Sequence, residues 1–275
     1  MKLCFNAGPE PMEEYFSFAH ENGFPWMELS CNNPNNFLDK WNPGRIDGIK
    51  QLRDKYGLHY GLHSASFVNA AEIEPTVRVA ARQHLLDYVQ LAHDLEAEYI
   101  VLHFGYHFSL FMDEVFRCLV ETYKPVVELA EKYQLPIGIE NMNKMHEDCE
   151  VAYLGVTPEE LSRVFDEIPS DYFGLTLDIA HACLLPGGVN PFIDQFPERI
   201  ISTHVSDNDL VLDHHLPVGE GKIDFKAVFK RLIDINFKGT LNIELPRSNE
   251  DRLLSKRRLE PILDELGMLE TALSA

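Results

Sequence analysis

Positive charge is scarce in this chain: 24 lysines and arginines stand against 44 aspartates and glutamates, a formal net charge of −20 over 275 residues. Such a balance repels a phosphate backbone at long range, which argues against nucleic acid as a nonspecific partner, although it leaves room for a phosphate bridged by metal. Cysteine is scarce too. The five present (Cys4, Cys31, Cys118, Cys149, Cys183) show no C-x-x-C spacing and are odd in number. Neither a disulfide framework nor a thiolate metal site is indicated, and a reducing cytoplasm is the expected compartment. No apolar run approaches membrane-spanning length, so no membrane partner is expected. The opening KLCFNAG is soon followed by Glu10, Glu13 and Glu14, unlike the basic-then-apolar order of a signal peptide. Linkers, low-complexity tracts and composition breaks are also missing. Residues 1–275 are therefore expected to form a single domain, with 45% hydrophobic content for an ordinary core.

What the sequence does contain is alternation. Short β-branched and apolar runs at 2–7, 26–31, 59–63, 99–103, 137–141, 174–178, 200–204 and 240–244 read as strands. Between them lie amphipathic stretches such as 76–95, 113–133, 158–168, 225–235 and 250–266, with helix-start signals at Thr157-Pro158 and Asn190-Pro191. Eight strand–helix units of about 30 residues are what a (β/α)8 TIM barrel of roughly 250 residues requires. The Asn-rich stretch 31–44 reads as a loop above the second strand.

The polar residues fall in a pattern. His63, His103, Glu140, Asp178, His204 and Glu244 each stand at or beside the C-terminal end of a different strand. Two residues earlier come Gly61, Val101, Gly138, Thr176, Ser202 and Asn242, mostly small or hydroxylic, whereas the odd steps give mostly bulky apolar side chains. Side chains alternate faces along a strand, so the bulky set should face the helices and the small set the barrel interior. The six polar residues then point inward at the C-terminal mouth, where barrel active sites are built. Three carboxylates converging in a partly desolvated mouth repel one another unless a cation neutralises them, and imidazoles are natural co-ligands. A divalent metal site follows. Oxygen-rich ligation by Glu140, Asp178, His204 and Glu244 suits Mn²⁺ or Mg²⁺, and His-rich outer sites suit Zn²⁺.

Two further pairs belong to the same end of the barrel. Asp178-x-x-His181 follows the sixth strand. Asp213-x-His215 lies within 203–225, THVSDNDLVLDHHLPVGEGKIDF, where Gly219 and Gly221 give the backbone freedom for the loop to fold back beside His181. Asp224 suits a helix N-cap. His107 and His146 lie in loops after the fourth and fifth strands, within reach of a substrate. Phe37, Trp41, Phe67, Phe104, Tyr106 and Phe108 are placed either to line a pocket or to pack the loops onto the rim.

The segments LHSASFVN, VLHFG, IENM, LTLDIAHA, the 203–225 stretch and NIELP together resemble the xylose isomerase-like TIM barrels, which include sugar isomerases and epimerases and endonuclease IV. Resemblance to the endonuclease IV-like members implies three ions: His63, His103 and a bridging Glu140 for the first; Glu140, Asp178, His204 and Glu244 for the second; His181, Asp213 and His215 for the third. Resemblance to the sugar enzymes implies only the second group, around one Mn²⁺, Mg²⁺ or Co²⁺, with Glu140 and Glu244 as the proton-transferring pair and His181, His63 and His103 toward the substrate. Two departures weaken the endonuclease comparison. Ser66-Phe67 stands where the repair enzymes carry a DNA-wedging Tyr-Leu, and His214 stands where they carry Arg. The leading expectation is a metal-dependent isomerase or epimerase of a sugar, sugar phosphate or polyol. A metal-dependent phosphodiesterase acting on abasic DNA, with zinc, is the alternative, and a ligand-binding barrel without activity is a third reading. A homo-oligomer is compatible with either enzyme.

Overall fold

The expected short runs are strands in the computed structural model, which describes residues 1–145, 149–246 and 248–268. They are β1 (Lys2–Ala7), β2 (Trp26–Ser30), β3 (His59–His63), β4 (Ile100–Leu102), β5 (Ile137–Glu140), β6 (Phe173–Asp178), β7 (Ile200–Val205) and β8 (Thr240–Ile243). Each pairs in parallel with its sequence neighbours, and β1 pairs with β8 to close the ring. This is the expected (β/α)8 barrel, with several strand ends displaced by one residue. Above the mouth, Tyr106–His107 and Ala152–Tyr153 add a small antiparallel ribbon that the sequence did not announce.

Helices follow the strands: α1 (Tyr15–Glu21), α2 (Pro43–Tyr56), α3 (Pro75–Asp94), α4 (Met112–Tyr133), α5 (Pro158–Phe165), α6 (Ile179–Cys183) with α7 (Asn190–Gln195), α8 (Phe225–Asp234) and α9 (Asn249–Glu265). Their starts are set by side chains that satisfy otherwise unpaired N–H groups. Asn42 accepts from Arg45 N, Thr157 from Glu160 N, Asp224 from Ala227 N and Ser248 from Asp251 N. The Asn-rich stretch begins as the expected loop but tightens into two short 3₁₀ turns, and α2 starts at Pro43, inside its expected end.

The alternation of faces holds. Outward Phe5, Leu29, Leu62, Ile100, Leu102, Ile139, Leu175, Leu177 and Leu241 are buried against the helices in the main core. A separate cluster of Cys4, Trp26, Tyr99 and Val101, with Ile201 against it, fills the barrel interior below the mouth. The interior is thus not uniformly small: glycines leave room for large rings. A Cβ on Gly61 would overlap the Tyr99 ring, and one on Gly138 would overlap Thr176 Oγ1. Gly61→Ala is therefore expected to destabilise the barrel by about 1–3 kcal/mol through overpacking. Urea denaturation checks this, and a midpoint equal to wild type would show that the Tyr99 ring is free to move away.

Candidate metal centre

Four barrel strands deliver one constellation. Glu140 ends β5, Asp178 ends β6, His204 lies near the end of β7, and Glu244 directly follows β8. One ligand atom from each lies within 4.8 Å of the others. His204 Nδ1 is 2.9 Å from Glu244 Oε2, 3.3 Å from Glu140 Oε1 and 4.0 Å from Asp178 Oδ2, yet is aligned with none of them for a hydrogen bond. Asp178 divides its carboxylate. Oδ1 caps α6 by accepting His181 N–H at 2.7 Å, while Oδ2 is buried without a hydrogen-bond partner. Buried polar atoms without partners are costly. One imidazole nitrogen and carboxylate oxygens, left unpaired and converging, are the donor set a hard divalent cation takes.

Two outer groups share ligands with this centre. His63, His103 and Glu140 form one. The His63 Nδ1–H donates to Ser64 O at 2.8 Å, leaving Nε2 3.4 Å from Glu140, and His103 Nε2 lies 2.8 Å from the same carboxylate. Asp178, His181 and His215 form the other. The resemblance had put Asp213 in that group, and it lies between the two imidazoles, 3.2 Å from His181 Nε2 and 3.0 Å from His215 Nδ1. The His181 and His215 ring centroids are 5.7 Å apart, so the loop folds back as its glycines allow.

Burial raises the Asp178 carboxyl to about 6, helped by Glu140 and Glu244 and opposed by His181. For His63, burial works against charge but is outweighed by the Glu140 hydrogen bond and by Glu28 and Glu244, giving about 9. His181 goes to about 10 in the same way, against burial and through Asp178 and Asp213. His204 is held well above the usual imidazole range by Glu244, Glu28 and Glu140 despite its burial. His103 moves down because burial dominates. Glu244, though buried, is pulled to about 2 by His204, and Glu140 lies well below the usual carboxylate range for the same reason.

Several residues in and around the site were missed by the pattern at strand ends. Glu28, in the middle of β2, is fully buried beneath His204. Its signal was available, because it shares the inward parity of Trp26 and Ser30. Asn141 bridges β5 and β6 by accepting the Asp178 N–H at 2.8 Å and donating to Asp178 O at 3.0 Å. Asp207 gathers the N–H groups of Gly219, Gly221 and Ile223 at 2.8, 3.0 and 3.1 Å, fastening the loop that carries Asp213 and His215. Of the aromatics, Phe104 is core, while Phe67 and Phe108 are exposed on the rim. His107 lies half-buried with Nδ1 accepting Ser109 N–H, and His146 lies outside the described residues. All five cysteines are free, and among the described residues no helix is long and apolar enough to cross a membrane. A cavity of about 210 Å³ opens beside Glu244 and His215, lined also by Asn6, Ser30, Asn32 and Arg252.

The chain is a closed parallel barrel with a carboxylate and imidazole cluster, a candidate metal site, at its C-terminal mouth, and comparison with known proteins gives it a family. The model of the xylose isomerase-like TIM barrel matches residues 16–272, and the chain belongs to that family. An uncharacterized protein of Methanocaldococcus jannaschii is 30% identical over 93% of this chain and 86% of its own length. A crystal structure of a D-tagatose 3-epimerase-like protein superposes with a TM-score of 0.86 at 30% identity, covering 97% of this chain and 98% of that one. Fructoselysine 3-epimerase of Escherichia coli O157:H7 is 22% identical over 91% of this chain and 92% of its own length.

Ligation requires neutral imidazoles, whereas His63 and His181 carry protons at pH 7 in the chain without metal. Divalent cation binding is therefore expected to release protons, and apparent affinity to rise with pH until about 9 to 10. Below about 6 Asp178 also takes a proton and affinity falls further. Calorimetric titrations in buffers of different ionisation enthalpy measure the release; identical heats in all buffers would refute it.

Proposed function

We propose that this chain is a divalent-metal-dependent isomerase or epimerase acting on a small sugar, sugar phosphate or polyol. The observation that carries the reading is the placement of Glu140 and Glu244 on β5 and β8, both beside the His204 imidazole and both held ionised. A cation bound by Glu140, Asp178, His204 and Glu244 would supply charge stabilisation, acidifying the C–H next to a carbonyl. One of Glu140 and Glu244 would take the proton, and the other, carrying a proton while the substrate is bound, would return one to the opposite face. His181, whose Nδ1–H is held by Asn141 O at 2.9 Å and whose Nε2 lies 3.2 Å from Asp213, would hold a substrate hydroxyl together with that carboxylate. His63 and His103 flank Glu140 and orient it. The similarity to a D-tagatose 3-epimerase-like protein supports the class of reaction, and a family structure described with a bound zinc atom, 17% identical, supports metal dependence.

The two outer groups favour a second reading, a three-ion phosphodiesterase, because their ligand atoms are already gathered. One experiment separates the two. Metal-loaded protein is incubated in D₂O with a panel of ketoses and their phosphates, alongside an abasic duplex oligonucleotide. Deuterium uptake into at least one sugar is expected, and Glu244→Gln should lower the exchange rate by about 10²–10⁴-fold while keeping the fold, since an amide neither takes nor returns the proton. Oligonucleotide cleavage with no deuterium in any sugar would sink the isomerase reading.

A further inference from the structure

Three of the site imidazoles, His63, His181 and His204, have one ring nitrogen held from behind, and what holds it differs. Behind His63 it is the carbonyl of Ser64, and behind His181 the carbonyl of Asn141. Behind His204 it is a carboxylate. Glu28 Oε1 and Oε2 lie 3.1 and 3.4 Å from His204 Nε2, and both Glu28 and His204 are completely buried. Taking a carboxylate out of water is expensive unless donors surround it. Here they do. Asn242 Nδ2 donates to Oε1 at 2.8 Å, Asn6 Nδ2 to Oε1 at 3.3 Å, and Tyr99 Oη to Oε2 at 3.0 Å. The Tyr99 ring reaches that point only because Gly61 leaves the space beside it open. Strands β1 and β8 and the residue just before β4 thus contribute donors to keep one anion beneath a single imidazole.

Resting on the metal reading above, we propose that Glu28 is the positioning residue of the centre: it accepts the His204 Nε2–H, fixes that tautomer and ring orientation, and leaves the Nδ1 lone pair for the cation. A carboxylate behind a ligating imidazole raises its basicity more than a neutral carbonyl does, so the charge on Glu28 strengthens the one nitrogen ligand among the three carboxylates. Glu28 itself is a layer below Glu140, Asp178 and Glu244 and does not touch the reacting atoms. Tyr99, Asn6 and Asn242 fix the carboxylate in turn.

The test uses Co²⁺ binding, which needs no substrate. Wild type, Glu28→Gln, Glu28→Asp and Tyr99→Phe are stripped of metal, checked for fold by circular dichroism, and titrated with Co²⁺ against a chelator while the visible ligand-field bands are recorded. Glu28→Gln is expected to bind about 10–100-fold more weakly with shifted bands. Glu28→Asp should recover part of both losses because it restores the charge, and Tyr99→Phe should shift the bands with a smaller loss. Equal affinity and superimposable spectra for wild type and Glu28→Gln overturn the proposal. Should Glu28→Gln fail to fold, a Tyr99→Phe protein indistinguishable from wild type overturns it instead. A wild type that binds no Co²⁺ overturns the metal reading and this inference with it, whereas Co²⁺ binding without sugar exchange removes the isomerase reading and leaves Glu28 in place.

Discussion

Four carboxylates, those of Glu28, Glu140, Asp178 and Glu244, share the upper interior of one barrel, and their repulsion is the constraint to which the surrounding structure responds. Two unit charges 4 Å apart cost about 4 kcal/mol at an effective dielectric of 20, and several such pairs would exceed the net stability of an ordinary domain. Imidazoles supply the first compensation. His204 stands between Glu28 below and Glu140 and Glu244 above, His63 reaches Glu140 and Glu244, and His181 reaches Asp178 and Asp213. The directions of shift follow: Glu140 and Glu244 are held below the usual carboxylate range, Asp178 is raised by its burial, and His63, His181 and His204 are raised while His103 moves down. A divalent cation bound there would replace imidazole protons with charge concentrated at one point, which is how the proposed centre would tolerate so many anions.

The barrel was legible because its signal repeats. Eight runs, six of them with inward polar ends and each followed by a helical stretch, over-determine a closed parallel sheet, and an error of one residue at a strand end does not alter which side faces in. The same parity located His63, His103, Glu140, Asp178, His204 and Glu244. Glu28 escaped because it sits mid-strand, where an acidic residue carries no turn or cap signal, and its partners Asn6, Tyr99 and Asn242 come from β1, the residue before β4, and β8. The small antiparallel ribbon escaped for a different reason: two residues on each side have no periodicity to read. Loop convergence was legible only in part. Glycine spacing indicated a return of the 203–225 segment, but the anchor that fixes the return, Asp207, looks like any loop aspartate until its N–H partners are seen.

That anchor matters for the third group of ligands. Asp207 and Leu216 exchange two backbone hydrogen bonds at 2.8 Å each, and the Asp207 carboxylate takes three further N–H groups from the Gly-x-Gly turn. Gly221 is required there, because a Cβ would overlap Asn208 O and Asp207 Oδ1. Between these pinned ends the excursion through Asp209 to His215 is short, and two of its residues, Leu210 and His215, adopt positive φ. Non-glycine residues reach that region only when their surroundings demand it. Backbone cost spent to bring His215 beside Asp213 and His181 is consistent with the proposed role of these side chains in the centre.

The surroundings of the mouth bear on which substrate the centre takes. At physiological ionic strength charges are screened beyond about 8 Å, so the net charge of −20 acts on an approaching molecule chiefly through the groups nearest the opening. Around the mouth, the loops after β3, β4 and β7 expose Phe67, Phe108, Leu210 and Val211. The cavity beside Glu244 offers amides and a hydroxyl from Asn6, Asn32 and Ser30. A duplex backbone would have to be held by a spread of cations at the rim, because phosphate neutralisation supplies most of the affinity for nucleic acid. The amides and hydroxyl beside Glu244, together with the Arg252 guanidinium that lines the same cavity, are instead groups that would hydrogen-bond the hydroxyls of a small polyol. On the proposed reading, the carboxylates that repel a phosphate chain would attract the cation, so the acidity of the centre would favour a small hydroxylated ligand over nucleic acid.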